Sequence, residues 1–306
     1  MLDHLRNEGI DEAIIEKIIE FRNEYPADCS DSGRIPVPRY LYYGAAVWTK
    51  ALTAILSGEN ILLVGPKATG KNVLAENLAA VFQRPEWDIS FYLNTDASTL
   101  IGTDTFKGGE VSLRKGPIYQ CAELGGFGVL DEINMAKNES LAVLHAALDF
   151  RRIIDVPGYS RITLSPATRF IGTMNYGYAG TREMNEALAS RFMVINMPVI
   201  SKENLQKLLK DQYNDLKDEY AEELAELFND IRKKCESAEV STKALDLRGL
   251  MSSVQLVKNG LNMGQALEIS IINKSFDDFE RQLVQDMITS RINGSLTAAD
   301  IFRAQQ

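Results

Sequence analysis

Residues Gly65-Pro66-Lys67-Ala68-Thr69-Gly70-Lys71-Asn72 carry the spacing G-x-x-x-x-G-K. Glycines let the backbone curl around a polyanion with its N–H groups pointing inward. A helix beginning at Lys71 would aim its positive dipole end at the same spot. The Lys71 side chain supplies a mobile cation for the β and γ phosphates of a nucleoside triphosphate. The next position usually carries a Ser or Thr hydroxyl that ligates Mg²⁺. Here it is Asn72, whose amide oxygen is also a hard donor, either direct or through water. Nucleotide binding is therefore the firmer expectation and fast hydrolysis the weaker one.

Some 60 residues on, Gly128-Val-Leu-Asp-Glu132 ends an apolar run in two carboxylates. Asp131 is suited to hold the hydration shell of Mg²⁺, and Glu132 to orient and polarise an attacking water. Asn175 closes the run Phe170-Ile-Gly-Thr-Met-Asn, where an amide can help place that water; an ordinary turn-forming Asn is the plainer alternative. Arg191, in Ala187-Leu-Ala-Ser-Arg-Phe, is either a solvated surface charge or a cation offered to a neighbour's γ-phosphate.

The elements around these residues must bring them to one edge. Ile61–Val64 is a short, continuously apolar run, as expected of a strand buried on both faces of a parallel sheet. Val73, Leu74, Leu78, Val81 and Phe82 follow at helical spacing. Further strands are expected at 88–93, 127–130, 170–174 and 193–197, with a helix marked by Leu141, Leu144 and Leu148 and a hairpin across 152–164. Repeated βα units predict a mostly parallel sheet with helices on both faces, whose C-terminal strand ends form the ligand edge. Upstream, 10–24 and 44–56 read as helices, and 25–38 as a Pro- and Gly-containing connector. After Pro198 only helical leucine spacing remains, from Leu205 through Ile231. The expected division is 1–40 as an N-terminal helical extension and connector, 41–200 as an α/β nucleotide-binding domain, and 201–306 as a helical domain.

Composition narrows the function classes. The 306 residues are 45% hydrophobic and 25% charged, with formal net charge −9. An acidic chain is poorly suited to coat nucleic acid, which needs clustered Lys and Arg. No apolar run approaches the roughly 20 residues that span a bilayer, and the N-terminus lacks the basic start of a signal peptide. Three scattered cysteines, Cys29, Cys121 and Cys235, offer neither a metal spacing nor a disulfide framework, which fits the cytoplasm. With two histidines in the whole chain, His-based metal or triad chemistry has little to draw on. His145 reads as packed, Trp48 and Trp87 as core or the edge of an adenine pocket, and Cys121 as buried.

The series GPKATGKN, VLDEIN, FIGTMN and EALASRF resembles the AAA+ superfamily, and more narrowly its MoxR-like branch, related to dynein-type AAA ATPases, over residues 40–275. That resemblance implies a P-loop NTPase domain of three α/β/α layers followed by a helical lid, binding ATP and Mg²⁺. It implies Gly65–Asn72 as Walker A, Val129–Glu132 as Walker B, Asn175 as sensor 1 and Arg191 as an arginine finger acting in trans. Arg248, with Lys243 as rival, is the implied sensor 2. Ile101–Pro117 corresponds to the family's insertion, read either as a pore element touching substrate or as a flexible loop, and the 152–164 hairpin to a second ring-facing element. Departures are Asn72, and Lys67-Ala68 where Pro-Gly is commoner. The resemblance further implies a hexameric ring that remodels a protein, commonly with a partner bearing a von Willebrand factor A domain. A slow nucleotide-binding assembly switch and a nucleic-acid-directed P-loop motor subunit are the alternatives; residues 1–40 read as an amphipathic docking helix or arm.

Overall fold

The structure, a computed structural model, describes residues 1–28, 32–156, 158–176 and 184–303. Cys29, singled out above, and residue 157 of the expected 152–164 hairpin lie outside the described residues. The chain divides into two units, one of residues 1–66 and 70–198, the other of residues 199–306 together with 67–69.

The first unit begins with α1 (Leu2–Asn7), α2 (Glu12–Glu24) and α3 (Ala45–Leu56). Asp11 caps α2 by accepting from the Ala13 N–H. The helices are not a free arm. Leu5, Ile15, Ile18 and Phe21 are buried in the same cluster as Leu63 of β1 (Ile61–Val64) and Leu74 and Leu78 of α4 (Lys71–Phe82). Phe21 meets Phe82 edge-on at 5.1 Å. Each large side chain buried in this way contributes about 1.5–3 kcal/mol, so α2 is held by packing more than by its own propensity.

Beyond α4 come β2 (Glu86–Ser90), α5 (Ala97–Ile101), β3 (Gly102–Lys107), β4 (Glu110–Lys115), α6 (Pro117–Leu124) and β5 (Phe127–Asp131). The rest of the unit is α7 (Asn138–Leu141), α8 (His145–Leu148), β6 (Ile153–Ile154), β7 (Ile162–Thr163), β8 (Arg169–Met174), α9 (Glu186–Ala189) and β9 (Met193–Asn196). The main sheet has the order β2-β5-β8-β1-β9, and every pair in it is parallel. Alternate residues of β1 enter opposite layers: Ile61 and Leu63 join the α2–α4 side, while Leu62 and Val64 join Leu130 and Phe170 on the other. Three α/β/α layers follow directly from that period of two.

The central strand β8 is bonded on both edges. At its start, buried Arg169 donates to the carbonyls of Ile55, Pro166 and Thr168, at 2.9, 2.6 and 2.8 Å. Trp48 is fully buried and donates to the Tyr42 carbonyl; Trp87 and Cys121 are buried too.

The insertion at 101–117, left open above between a pore element and a flexible loop, is regular structure over β3 and β4, which form an antiparallel ribbon around Gly108 and Gly109, at φ +65° and +91°. Two consecutive positive φ values are what a tight turn matching strand twist requires, and glycine supplies them without strain. Phe106 faces Val111 across the ribbon, and both are largely exposed.

The second unit is helical: α10 (Lys202–Gln212), α11 (Asp218–Glu236), α12 (Leu247–Lys258), α13 (Met263–Ser270), α14 (Asp278–Arg291) and α15 (Ala298–Ile301). Leu224, Leu227, Phe228 and Ile231 form the buried stripe of α11. Its charged face is laced to neighbours, Lys202 to Glu222 and Glu226, and Arg291 to Asp230. Among the described residues, no helix is long and apolar enough to cross a membrane.

Candidate nucleotide site

The loop Gly65–Asn72 joins β1 to α4 at the C-terminal edge of the sheet. Gly65 extends the ladder by donating its N–H to the Met174 carbonyl at 3.2 Å. Gly70 then takes φ +77°, a left-handed turn that launches the helix. Ala68 is also left-handed, φ +62°, which costs a residue with a Cβ about 1 kcal/mol. The unusual Ala at this position is therefore strained as well as atypical.

Lys71 opens α4 with its side chain folded back, Nζ donating to the carbonyls of Gly65 at 2.9 Å and Pro66 at 2.8 Å. Burial pushes its ammonium down to about 8, against the opposing pull of Asp131 and Glu132. Those two carboxylates thus act on the same cation, as a phosphate site at the mouth of the sheet requires. Asn72 is exposed on the first turn of α4.

β5 ends in Asp131, and Glu132 follows with φ +53°. A Glu in this region is uncommon, and such conformations gather at functional sites. Asn175 Nδ2 donates to Glu132 Oε1 at 2.9 Å, fixing one carboxylate oxygen. Asn134 in turn donates to the Asn175 carbonyl at 3.1 Å. Between the carboxylates stands a residue that the sequence reading passes over. Thr173 of β8 donates its hydroxyl to Asp131 Oδ1 at 2.7 Å and accepts the Glu132 N–H at 3.0 Å. The signal for it was the strand register: Leu130 pairs with Gly172, so the next residues along are Asp131 and Thr173.

None of the bonds described joins the remaining expected residues to this set. Arg191 donates to the carbonyls of His145, at 3.1 Å, and Ala187, and reaches Asp149 at 3.5 Å; none of these bonds goes to Asp131 or Glu132. Arg248 is an exposed residue at the start of α12 in the helical unit, and Lys243 is exposed in the segment before that helix, 5.8 Å from the Phe276 ring. His145 has its imidazole shifted down, chiefly by burial.

Among the described residues, no group of three or more His, Cys, Asp or Glu is arranged to hold a metal. The residues that would hold a Mg²⁺ arriving with a nucleotide are Asp131 and Asn72, a carboxylate and an amide oxygen, with phosphate and water oxygens completing the set. These are hard donors of the kind that ion takes, so the residues fit it.

The family profile of AAA domains, dynein-related subfamily, matches residues 60–192. The uncharacterised protein YojN of Bacillus subtilis is 30% identical over 293 residues, which cover 94% of this chain and 95% of that one. An uncharacterised protein of Staphylococcus haemolyticus is 31% identical over 256 residues, 82% and 97% of the two chains. Among solved structures, a mutant RuvB of Thermotoga maritima is similar at 18% identity and TM-score 0.48, over 79% of this chain and 76% of that one.

Proposed function

We propose, from the premise that this chain belongs to the AAA+ P-loop family with a dynein-related type of AAA domain, that it is an ATP-hydrolysing remodelling motor of MoxR type. The observation that carries the reading is the bonded set Asp131, Thr173, Glu132 and Asn175 at the same sheet edge as buried Lys71.

In this reading the Gly65–Asn72 amides and Lys71 hold the triphosphate, and Lys71 exchanges its two carbonyl partners for phosphate oxygens. Mg²⁺, when bound, offsets charge on the β and γ phosphates. Glu132 accepts a proton from the attacking water, whose oxygen bonds to the γ-phosphorus as the bond to ADP breaks. Asn175 keeps Glu132 turned to that water. Arg191 serves a neighbouring subunit, which makes the working form a ring, a hexamer by family likeness. Arg248, or Lys243 in its place, is the sensor offered by the helical unit. Loss of the γ-phosphate shifts contacts shared between subunits, and that motion acts on a protein substrate or a von Willebrand factor A domain partner in the cytoplasm. The β3–β4 ribbon, with Phe106 and Val111 exposed, is the element proposed to touch substrate.

A second reading draws support from exposed Asn72 and strained Ala68: a switch that binds ATP, assembles and turns over slowly.

The test is particle size in solution with and without ATP and Mg²⁺, with phosphate release recorded on the same sample. The motor reading expects a larger species with ATP and steady release that Glu132→Gln abolishes while nucleotide still binds. A wild-type chain that takes up no nucleotide defeats both readings.

A further inference from the structure

Thr173 sits where a single hydroxyl group reaches both carboxylate residues. Thr173 is 1% exposed, in a strand bonded on both edges, so bulk water does not compete for its hydroxyl. A hydroxyl has one proton and two lone pairs. Here the proton goes to Asp131 Oδ1 and a lone pair receives the Glu132 N–H. The first bond commits one oxygen of Asp131 and leaves Oδ2 for the hydration shell of an incoming cation. The second holds the backbone of Glu132 at φ +53°, the turn from which its carboxylate meets Asn175.

We propose that Thr173 is a positioning residue of the nucleotide site, coupling the cation-facing carboxylate to the water-polarising one through one hydroxyl. The proposal rests on the ATPase reading above. It concerns Mg²⁺-dependent steps alone, since Thr173 makes no bond to the phosphate loop among those described. Outer-shell partners of metal ligands typically change metal affinity by about 10- to 100-fold when removed, which sets the effect to look for.

The experiment titrates a fluorescent ATP analogue into wild type, Thr173→Val and Thr173→Ser, in EDTA and across a Mg²⁺ series, with turnover measured in parallel. In EDTA all three should bind alike. With Mg²⁺, Thr173→Val should need about tenfold more cation for half-saturation and lose about tenfold or more in kcat with KM little changed, while Thr173→Ser restores both. Should the valine variant fail to fold by circular dichroism, Thr173→Ala is read in its place. A hydroxyl-free variant with a wild-type Mg²⁺ titration and kcat overturns the proposal and leaves the ATPase reading standing. So does equal loss of binding in EDTA, which marks a merely structural role, or a serine variant as impaired as valine. A wild-type chain without nucleotide binding overturns both.

Discussion

Arg191 is tethered to Asp149 of its own subunit at 3.5 Å, and Asp149 is already held by Arg151 at 2.6 Å. Partly exposed ion pairs of this kind are worth about 0–1 kcal/mol, so the tether parks the guanidinium without locking it. If Arg191 serves a neighbour's γ-phosphate, Arg191→Ala should leave nucleotide affinity within about twofold and cut turnover by about 10³-fold or more. Equilibrium binding and steady-state phosphate release on the same preparation check this. Unchanged turnover would return Arg191 to an ordinary surface role.

Lys71 gives the site a pH dependence of definite sign. Its value of about 8, lowered by burial, means that the ammonium loses its proton as pH rises through 8, whereas phosphate oxygens favour the charged form. Binding therefore takes up a proton above that pH. Affinity for ATP should be flat between pH 6.5 and 7.5 and weaken toward about tenfold per unit above 8. Fluorescence titrations from pH 6.5 to 9.5 measure the slope, and Lys71→Ala should bind weakly at every pH.

Asn72→Thr puts a hydroxyl at the position that ends the phosphate-loop motif. Mg²⁺ should then act at lower concentration and turnover rise severalfold, with binding in EDTA unchanged. A gain beyond about 100-fold would favour the slow assembly switch over the motor, because the wild type would then be held back at that one position.

Glu86 makes a stability prediction independent of nucleotide. One of its oxygens is buried without a partner, and burial, with Asp88 adding to it, pushes its carboxyl up to about 8. The unfolded group ionises near 4.5. The folded state thus prefers the protonated form, and the stability this adds is complete below about 4.5 and eroded as pH rises toward 8. Thermal melts from pH 5 to 8.5 should show a falling midpoint that Glu86→Gln flattens.

Legibility in the sequence follows the kind of information each element carries. β1 occupies the four residues Ile61–Val64 that its apolar run marks, because a strand buried on both faces needs no alternation to be recognised. β2 lies at Glu86–Ser90 rather than 88–93, since only Trp87 and Ile89 are buried on this edge strand and the pattern gives little to anchor its start. The leucines at 141, 144 and 148 point to one helix, and the structure forms α7, a 3₁₀ turn at Ala142–Leu144, and α8. The β3–β4 ribbon has no continuous buried face, so hydrophobic period says nothing about it; the Gly108-Gly109 pair was the available signal. Within the site, Lys71, Asp131, Glu132 and Asn175 are readable because their chemistry depends on order along the chain. Thr173 is not, because a threonine inside an apolar strand acquires meaning only when the neighbouring strand is laid beside it.

The strand that carries Thr173 has its far end nailed down by Arg169, bonded to three carbonyls, and its flanks by two ladders. It behaves as an anvil. A strand fixed at its start and along both edges has little freedom to shift when its C-terminal tip meets a ligand, so any rearrangement there falls to the less restrained segments around it. Hydrogen exchange gives this a direct signature: the amides of Ile171 to Thr173 should be among the slowest in the molecule, in either nucleotide state.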